Sequence, residues 1–155
     1  MPVASLSLYS TFPSPPMSTC PFCRIATAPS GTSTLLQTPL AVAFLDIRPI
    51  RPGHVLVVPR RHEPDFWNLT DDERHDIFAL AKRIAGAQRQ LFNPLKVGLL
   101  VAGFDVPHAH VHVVPLHDAH DLTSERILNG SVKSAAADEL ADLQGRYAQH
   151  FLAPR

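Results

Sequence analysis

At 155 residues the chain has the length of about one ordinary domain. Charged residues make up 18% and hydrophobic residues 45%, a balance that excludes disorder throughout and allows a buried core. Lys+Arg and Asp+Glu are equal at 14 each, so the net charge offers nothing to a nucleic-acid backbone or an anionic membrane, and neither partner is expected. Histidine is the exception: five of the nine fall between His108 and His120. The two cysteines, Cys20 and Cys23, are too few for a disulfide scaffold. With no apolar run long enough to span a membrane and no signal-peptide pattern, a cytoplasmic protein with free thiols is the expectation.

Residues 1–17 (MPVASLSLYSTFPSPPM) carry four prolines and four serines without helical or strand periodicity and read as a flexible extension. Residues 18–155 then form a single domain. Leu40 to Leu45 and His54 to Val58 are apolar runs bounded by prolines and read as strands, joined by a loop from Asp46 to Gly53. Thr70 stands three residues before Glu73, a capping-box spacing, and Ile77, Leu80, Ala81, Ile84, Ala85 and Leu91 follow as one stripe. A helix from Asp71 to Phe92 is predicted, ending at Asn93-Pro94. Lys96 to Ala102 and Ala109 to Val114 read as two strands of a hairpin across a turn at Gly103 to Pro107. A C-terminal helical pattern runs from Ala135 to Phe151, with Leu140, Leu143, Tyr147 and Phe151 along one side. The order of elements predicts an α+β domain, a mostly antiparallel sheet with one long helix and a C-terminal helix.

His108, His110 and His112 alternate with Ala109, Val111 and Val113. In a strand that alternation sends all three imidazoles to one face and the small apolar residues to the other. Single histidines such as His75, His117, His120 and His150 are ordinary surface or structural residues. A row at period 2 is different, because neutral imidazole is a metal ligand, a nucleophile and a base near neutral pH. Cys20-x-x-Cys23 offers two thiols to a metal, although such a pair alone also suits redox chemistry or simple burial. Asp46, directly after an apolar run, stands where a strand gives way to a loop, and its carboxylate can accept two hydrogen bonds.

The stretch His108-Ala-His110-Val-His112-Val-Val resembles the signature of the histidine triad (HIT) superfamily of nucleotide hydrolases and transferases. Three further segments resemble the same family in order: Cys20-Pro-Phe-Cys23, Ala43-Phe-Leu-Asp46-Ile-Arg-Pro49, and Pro52-Gly-His54 through His62. The resemblance implies a purine nucleotide substrate and attack by His110 on its α-phosphorus, giving a nucleotidyl-histidine that water then hydrolyses. His112 and His54 would donate hydrogen bonds to the phosphate. Asp46 would take the ribose hydroxyls, and Phe22, Phe44, Leu45 and Ile47 would enclose base and ribose. It further implies a structural zinc held by Cys20, Cys23, His62 and His108, and a homodimer formed through the long helix and a sheet edge.

The chain departs from the family pattern at the turn before the triad, where Phe104 and Asp105 stand in place of the usual glutamine and serine or threonine. The shortened turn is expected to aim Asp105 at solvent or backbone donors. Hydrolysis of nucleoside phosphoramidates or related conjugates is the reading that results. A dinucleoside polyphosphate hydrolase and a zinc-stabilised nucleotide-binding module without turnover are the alternatives. A metalloenzyme using the three histidines directly would leave Cys20 and Cys23 without a purpose.

Overall fold

The computed structural model describes residues 19–28, 33–121 and 133–153, so the predicted extension at residues 1–17 lies outside the described residues. Five strands form one antiparallel sheet: β1 (Thr34–Gln37), β2 (Ala41–Leu45), β3 (Val55–Pro59), β4 (Lys96–Val101) and β5 (Val111–Leu116), in the spatial order β1-β2-β3-β5-β4. Among the described residues the helices are α1 (Pro21–Thr27), α2 (Asp71–Phe92) and α3 (Ala137–Leu152), with a 3-10 turn at Phe66–Asn68. This is the α+β architecture that the sequence predicts.

Alternation along the strands divides the core into two layers. Ala41, Ala43, Leu45, Val55, Val57, Val111 and Val113 face α2 and α3 and pack on Ile77, Leu80, Ala81, Ile84, Leu143 and Tyr147. Val42, Phe44, Leu56 and Val58 point the other way and pack on Ala26, Phe22 and Ile25 of α1. A sheet buried on both faces explains why β2 and β3 read as continuous apolar runs rather than alternating ones. α2 begins as predicted: the Thr70 hydroxyl accepts from the Glu73 N–H at 3.2 Å and the Glu73 carboxylate accepts from the Thr70 N–H at 2.8 Å. It ends at Asn93, whose φ of 46° is the left-handed conformation that closes helices.

Three differences from the expected elements have physical causes. α1 is only seven residues long, with Pro21 in its first turn, too short for a periodic signal. β1 is a four-residue edge strand with a pairing irregularity between Thr34 and Leu36, and it too leaves no pattern. β5 starts at Val111 and runs through Pro115, later than predicted. Proline is tolerated there because β3 pairs only with Val111 to Val113, so Pro115 has a strand partner on one side alone. Among the described residues no helix is long and apolar enough to cross a membrane.

Candidate active site

The α1 side of the sheet is where the histidines converge. Leu56 pairs with both Phe44 and His112, and paired residues of an antiparallel ladder share a face, so His112 lies beside the apolar residues that pack on α1. His54 precedes β3 by one residue and has the same parity as Leu56. His108, at a bend, and His110 stand in the segment leading into β5, and the Phe22 ring packs edge-on against both, with centroids 5.9 and 5.3 Å away. The expected row of imidazoles is thus formed, with only His112 inside the regular strand.

Hydrogen bonds fix the ring protons. A carbonyl can only accept, so the 2.7 Å contact from His110 Nδ1 to the His108 carbonyl places the neutral ring's proton on Nδ1 and leaves a lone pair on Nε2. The Ile50 N–H donates to His54 Nδ1 at 3.2 Å, which puts the His54 proton on Nε2, 3.0 Å from His112 Nδ1. His112 therefore accepts at Nδ1 and carries its own proton on Nε2, and His54, whose one N–H is used on His112, is not free to donate to a phosphate as the resemblance implied. Burial lowers the pKa of all three rings. It is the largest cause at each; Asp46 partly opposes it at His54, the neighbouring His54 and His110 rings add to it at His112, and the His108 carbonyl with the Asp46 and Asp105 carboxylates partly opposes it at His110. The rings are neutral at pH 7.

Asp46 closes the group from the end of β2. Its Oδ1 accepts from the Arg48 N–H at 2.8 Å, forming a local turn, and its Oδ2 lies 3.5 Å from His54 Nδ1. A cleft of about 290 Å³ opens here, bordered by Asp46, His54, His110 and His112 and by Phe22 and Phe44. Of the other residues expected around a base and ribose, Ile47 borders the cleft and is 61% exposed, whereas Leu45 reaches it from the α2 side of β2, where its side chain is fully buried. Ile25, Ile50, Leu56 and Arg48 also border the cleft and were not singled out from the sequence. For Leu56 the signal was present in its parity with His54. Asp105 sits at the rim, 3.1 Å from the Arg48 guanidinium, with both side chains largely exposed. Asp105 thus faces solvent as expected, and it also makes an ion pair at the cleft mouth that the sequence does not show.

A second cluster lies at the start of α1. Cys20 Sγ and Cys23 Sγ are 3.5 and 3.4 Å from His108 Nδ1, and Cys23 Sγ is 3.1 Å from His62 Nδ1. The His108 Nε2–H donates to the Pro59 carbonyl at 2.9 Å, so the His108 Nδ1 lone pair faces the thiols. All four candidate ligand atoms lie within 4.8 Å of one another. Ligands bound tetrahedrally at ~2.0–2.3 Å from one ion stand roughly 3.3–3.8 Å apart, so these separations and the two-sulfur, two-nitrogen donor set fit zinc. Burial and the neighbouring Cys20 thiol push the Cys23 thiol up to about 11, so a thiolate there requires a cation beside it.

A model of the HIT domain matches residues 29–119. The asymmetrical bis(5'-nucleosyl)-tetraphosphatase of Schizosaccharomyces pombe is 35% identical over 92 residues, 56% of this chain and 50% of that protein. The adenosine 5'-monophosphoramidase of Saccharomyces cerevisiae is 33% identical over 100 residues, 64% of this chain and 63% of that protein. The matched region thus spans from half to under two thirds of the length of these curated relatives. Among solved structures, a zinc-bound histidine triad family protein from Mycobacterium smegmatis aligns with a TM-score of 0.68 at 24% identity, over 87% of this chain and 97% of that one, which shows a common fold.

Proposed function

The chain belongs to the HIT domain family, and from that premise we propose that it is a nucleotide hydrolase acting at the α-phosphate of purine nucleoside phosphoramidates or related conjugates. The observation that carries the reading is the orientation of His110. With its proton held on Nδ1 by the His108 carbonyl, the lone pair of Nε2 is the nucleophile, and the same carbonyl and the Asp46 carboxylate stabilise the positive ring that forms as Nε2 bonds to phosphorus. In the first step the Nε2–P bond forms, the bond from phosphorus to the amine or phosphate breaks, and the leaving group takes a proton. Water supplies that proton, while His112, neutral with its proton on Nε2, is assigned a hydrogen bond to a phosphate oxygen as charge develops there, and His54 holds His112 in that tautomer. In the second step water attacks phosphorus, the P–Nε2 bond breaks, and the nucleoside monophosphate departs.

Asp46 at the base of the cleft is assigned to the ribose hydroxyls, and Phe22, Phe44, Leu45 and Ile47 to the base and sugar faces. Cys20, Cys23, His62 and His108 are assigned to one structural zinc. That ion would tie α1 to the segment carrying His110, with no part in bond making. Thiol ligands of this kind suit a reducing cytoplasm. The named phosphoramidase relative supports this leaving-group class, and the named tetraphosphatase supports the second reading, a dinucleoside polyphosphate hydrolase. Incubation with adenosine and guanosine phosphoramidates, dinucleoside tri- and tetraphosphates and acyl-adenylates, with release of monophosphate as the readout, tests both. Fastest release from phosphoramidates is the expected result, and release from none of them would leave only a nucleotide-binding module.

A further inference from the structure

α2 presents an apolar stripe to the sheet, and Gln88 interrupts it, at the position where the spacing from Ile77, Ala81 and Ile84 calls for another aliphatic side chain. The side chain is fully buried. Its Nε2 donates to two main-chain carbonyls, Gly53 at 2.9 Å and Val113 at 2.9 Å, while its Oε1 has no partner among the described residues. Two acceptors around one end of the amide settle which end is nitrogen. A half-satisfied buried amide stabilises less than a hydrocarbon of the same size would, so its effect has to be sought in what its two N–H groups hold.

The two carbonyls lie close along the chain to the paired histidines: that of Gly53 is bonded to the His54 nitrogen, and that of Val113 belongs to the residue after His112. One amide, on the face of the sheet opposite the cleft, therefore spans the two backbone segments whose imidazoles meet at 3.0 Å. Around Gly53 the hold is reinforced. The Tyr147 hydroxyl of α3 donates to the same carbonyl at 2.8 Å, and the Phe92 ring fills the space where a Cβ on Gly53 would stand. Gly53 has φ +88°, open to glycine and strained for other residues, so this peptide is fixed in a conformation that few substitutions tolerate.

We propose that Gln88, seconded by Tyr147, is a positioning residue for the histidine pair, holding the Gly53–His54 peptide against the β5 main chain one residue beyond His112 and so keeping their hydrogen bond in register. The kinetic part rests on the hydrolase reading above. Displacement of a reacting group by a fraction of a hydrogen-bond length lowers the rate of the chemical step while leaving base and ribose binding in place.

The test uses the full chain and two variants, Gln88→Met, which keeps volume and removes both donors, and Tyr147→Phe, which removes one of the two side-chain donors at Gly53. Gln88→Met is expected to lower kcat on an adenosine phosphoramidate by about tenfold to a hundredfold, with KM within about threefold, and Tyr147→Phe to act in the same direction by less. The His54 imidazole N–H resonance, identified by its response to His112→Ala, is expected to shift in Gln88→Met. A folded Gln88→Met protein with unchanged kcat and an unchanged imidazole resonance overturns the proposal, whatever its thermal stability. Should that variant not fold, the wild-type protein decides: slow solvent exchange of the Gln88 side-chain amide protons is required, and fast exchange overturns the proposal. Absence of turnover by wild-type protein on every conjugate would refute the hydrolase reading alone, because the resonance and exchange measurements need no substrate.

Discussion

His110 shows how a single ring acquires a direction. Its Nδ1 proton is held at 2.7 Å by a carbonyl two residues earlier, so the nucleophilic lone pair follows from the local backbone. Replacing His110 with Ala is expected to abolish turnover while nucleotide affinity stays within roughly tenfold, because the contacts made by the apolar cleft and Asp46 remain. Turnover and equilibrium binding measured on the same preparation check this, and near-normal turnover would refute the covalent route. Asp105 belongs to the same scale. Pairing with Arg48 at the rim offsets the repulsion that its carboxylate would otherwise exert on an anionic substrate. Since both side chains are largely exposed, the pair is screened. Asp105→Ser is therefore expected to change the ratio of kcat/KM for phosphoramidate against polyphosphate substrates by less than about tenfold, or ~1.4 kcal/mol. A hundredfold change would show that Asp105 sets the leaving-group preference.

At the scale of elements, two local devices hold the site in place. α1, of seven residues, is too short to persist without tertiary contacts, and the Cys20, Cys23, His62 and His108 cluster joins it to both the end of β3 and the start of β5. Cys23→Ser or His62→Ala is expected to lower zinc content and stability together, by on the order of 3 kcal/mol or ~10 °C in Tm. Metal analysis beside thermal unfolding tests the coupling, and loss of metal with unchanged Tm would show that the ion is not structural. The other device is the start of α2. Hydrogen bonds from Arg61 at 2.9 Å, added to those of the capping box, hold the buried Glu73 carboxyl down at about 2 from its ordinary 4.5. A folded-state pKa lowered in this way contributes stability that is complete above the unfolded value and is lost as the pH falls through the folded one. Glu73→Gln is accordingly expected to cost on the order of 2 kcal/mol at pH 7, allowing for solvent screening of half-exposed Arg61. The difference from wild type should shrink as the pH falls from 4.5 toward 2. Urea unfolding across that range checks it, and a pH-independent difference would assign the effect to packing.

At the scale of the whole molecule, β4 is one of the two edges of the sheet. Among the described residues it pairs only with β5, and its Leu99 and Val101 share the face of Val113 and Val111, toward α2, where they are 49% and 42% exposed. Phe78 of α2 is likewise 45% exposed. Unpaired backbone groups beside exposed apolar side chains are the features a second copy would cover. Light scattering at micromolar concentration is expected to give twice the chain mass of 17.0 kDa, and a value near the single-chain mass would count against the dimer.

What the sequence determined by itself was whatever depends on spacing along one element. Period 2 placed three imidazoles on one face, the Thr70 to Glu73 spacing started α2, and prolines bounded β2 and β3. The strand order, the two short elements α1 and β1, the tautomers and the rim ion pair were decided only by tertiary structure. Four to seven residues carry too little periodicity to register as an element, and a ring proton is assigned by whichever carbonyl or N–H the fold brings to it. Gln88 marks the boundary between the two. Its sequence shows a polar residue out of place in an apolar stripe, and only the packing of α2 on the sheet shows that it meets the two carbonyls beside His54 and His112, because that meeting joins residues 35 and 25 positions away along the chain.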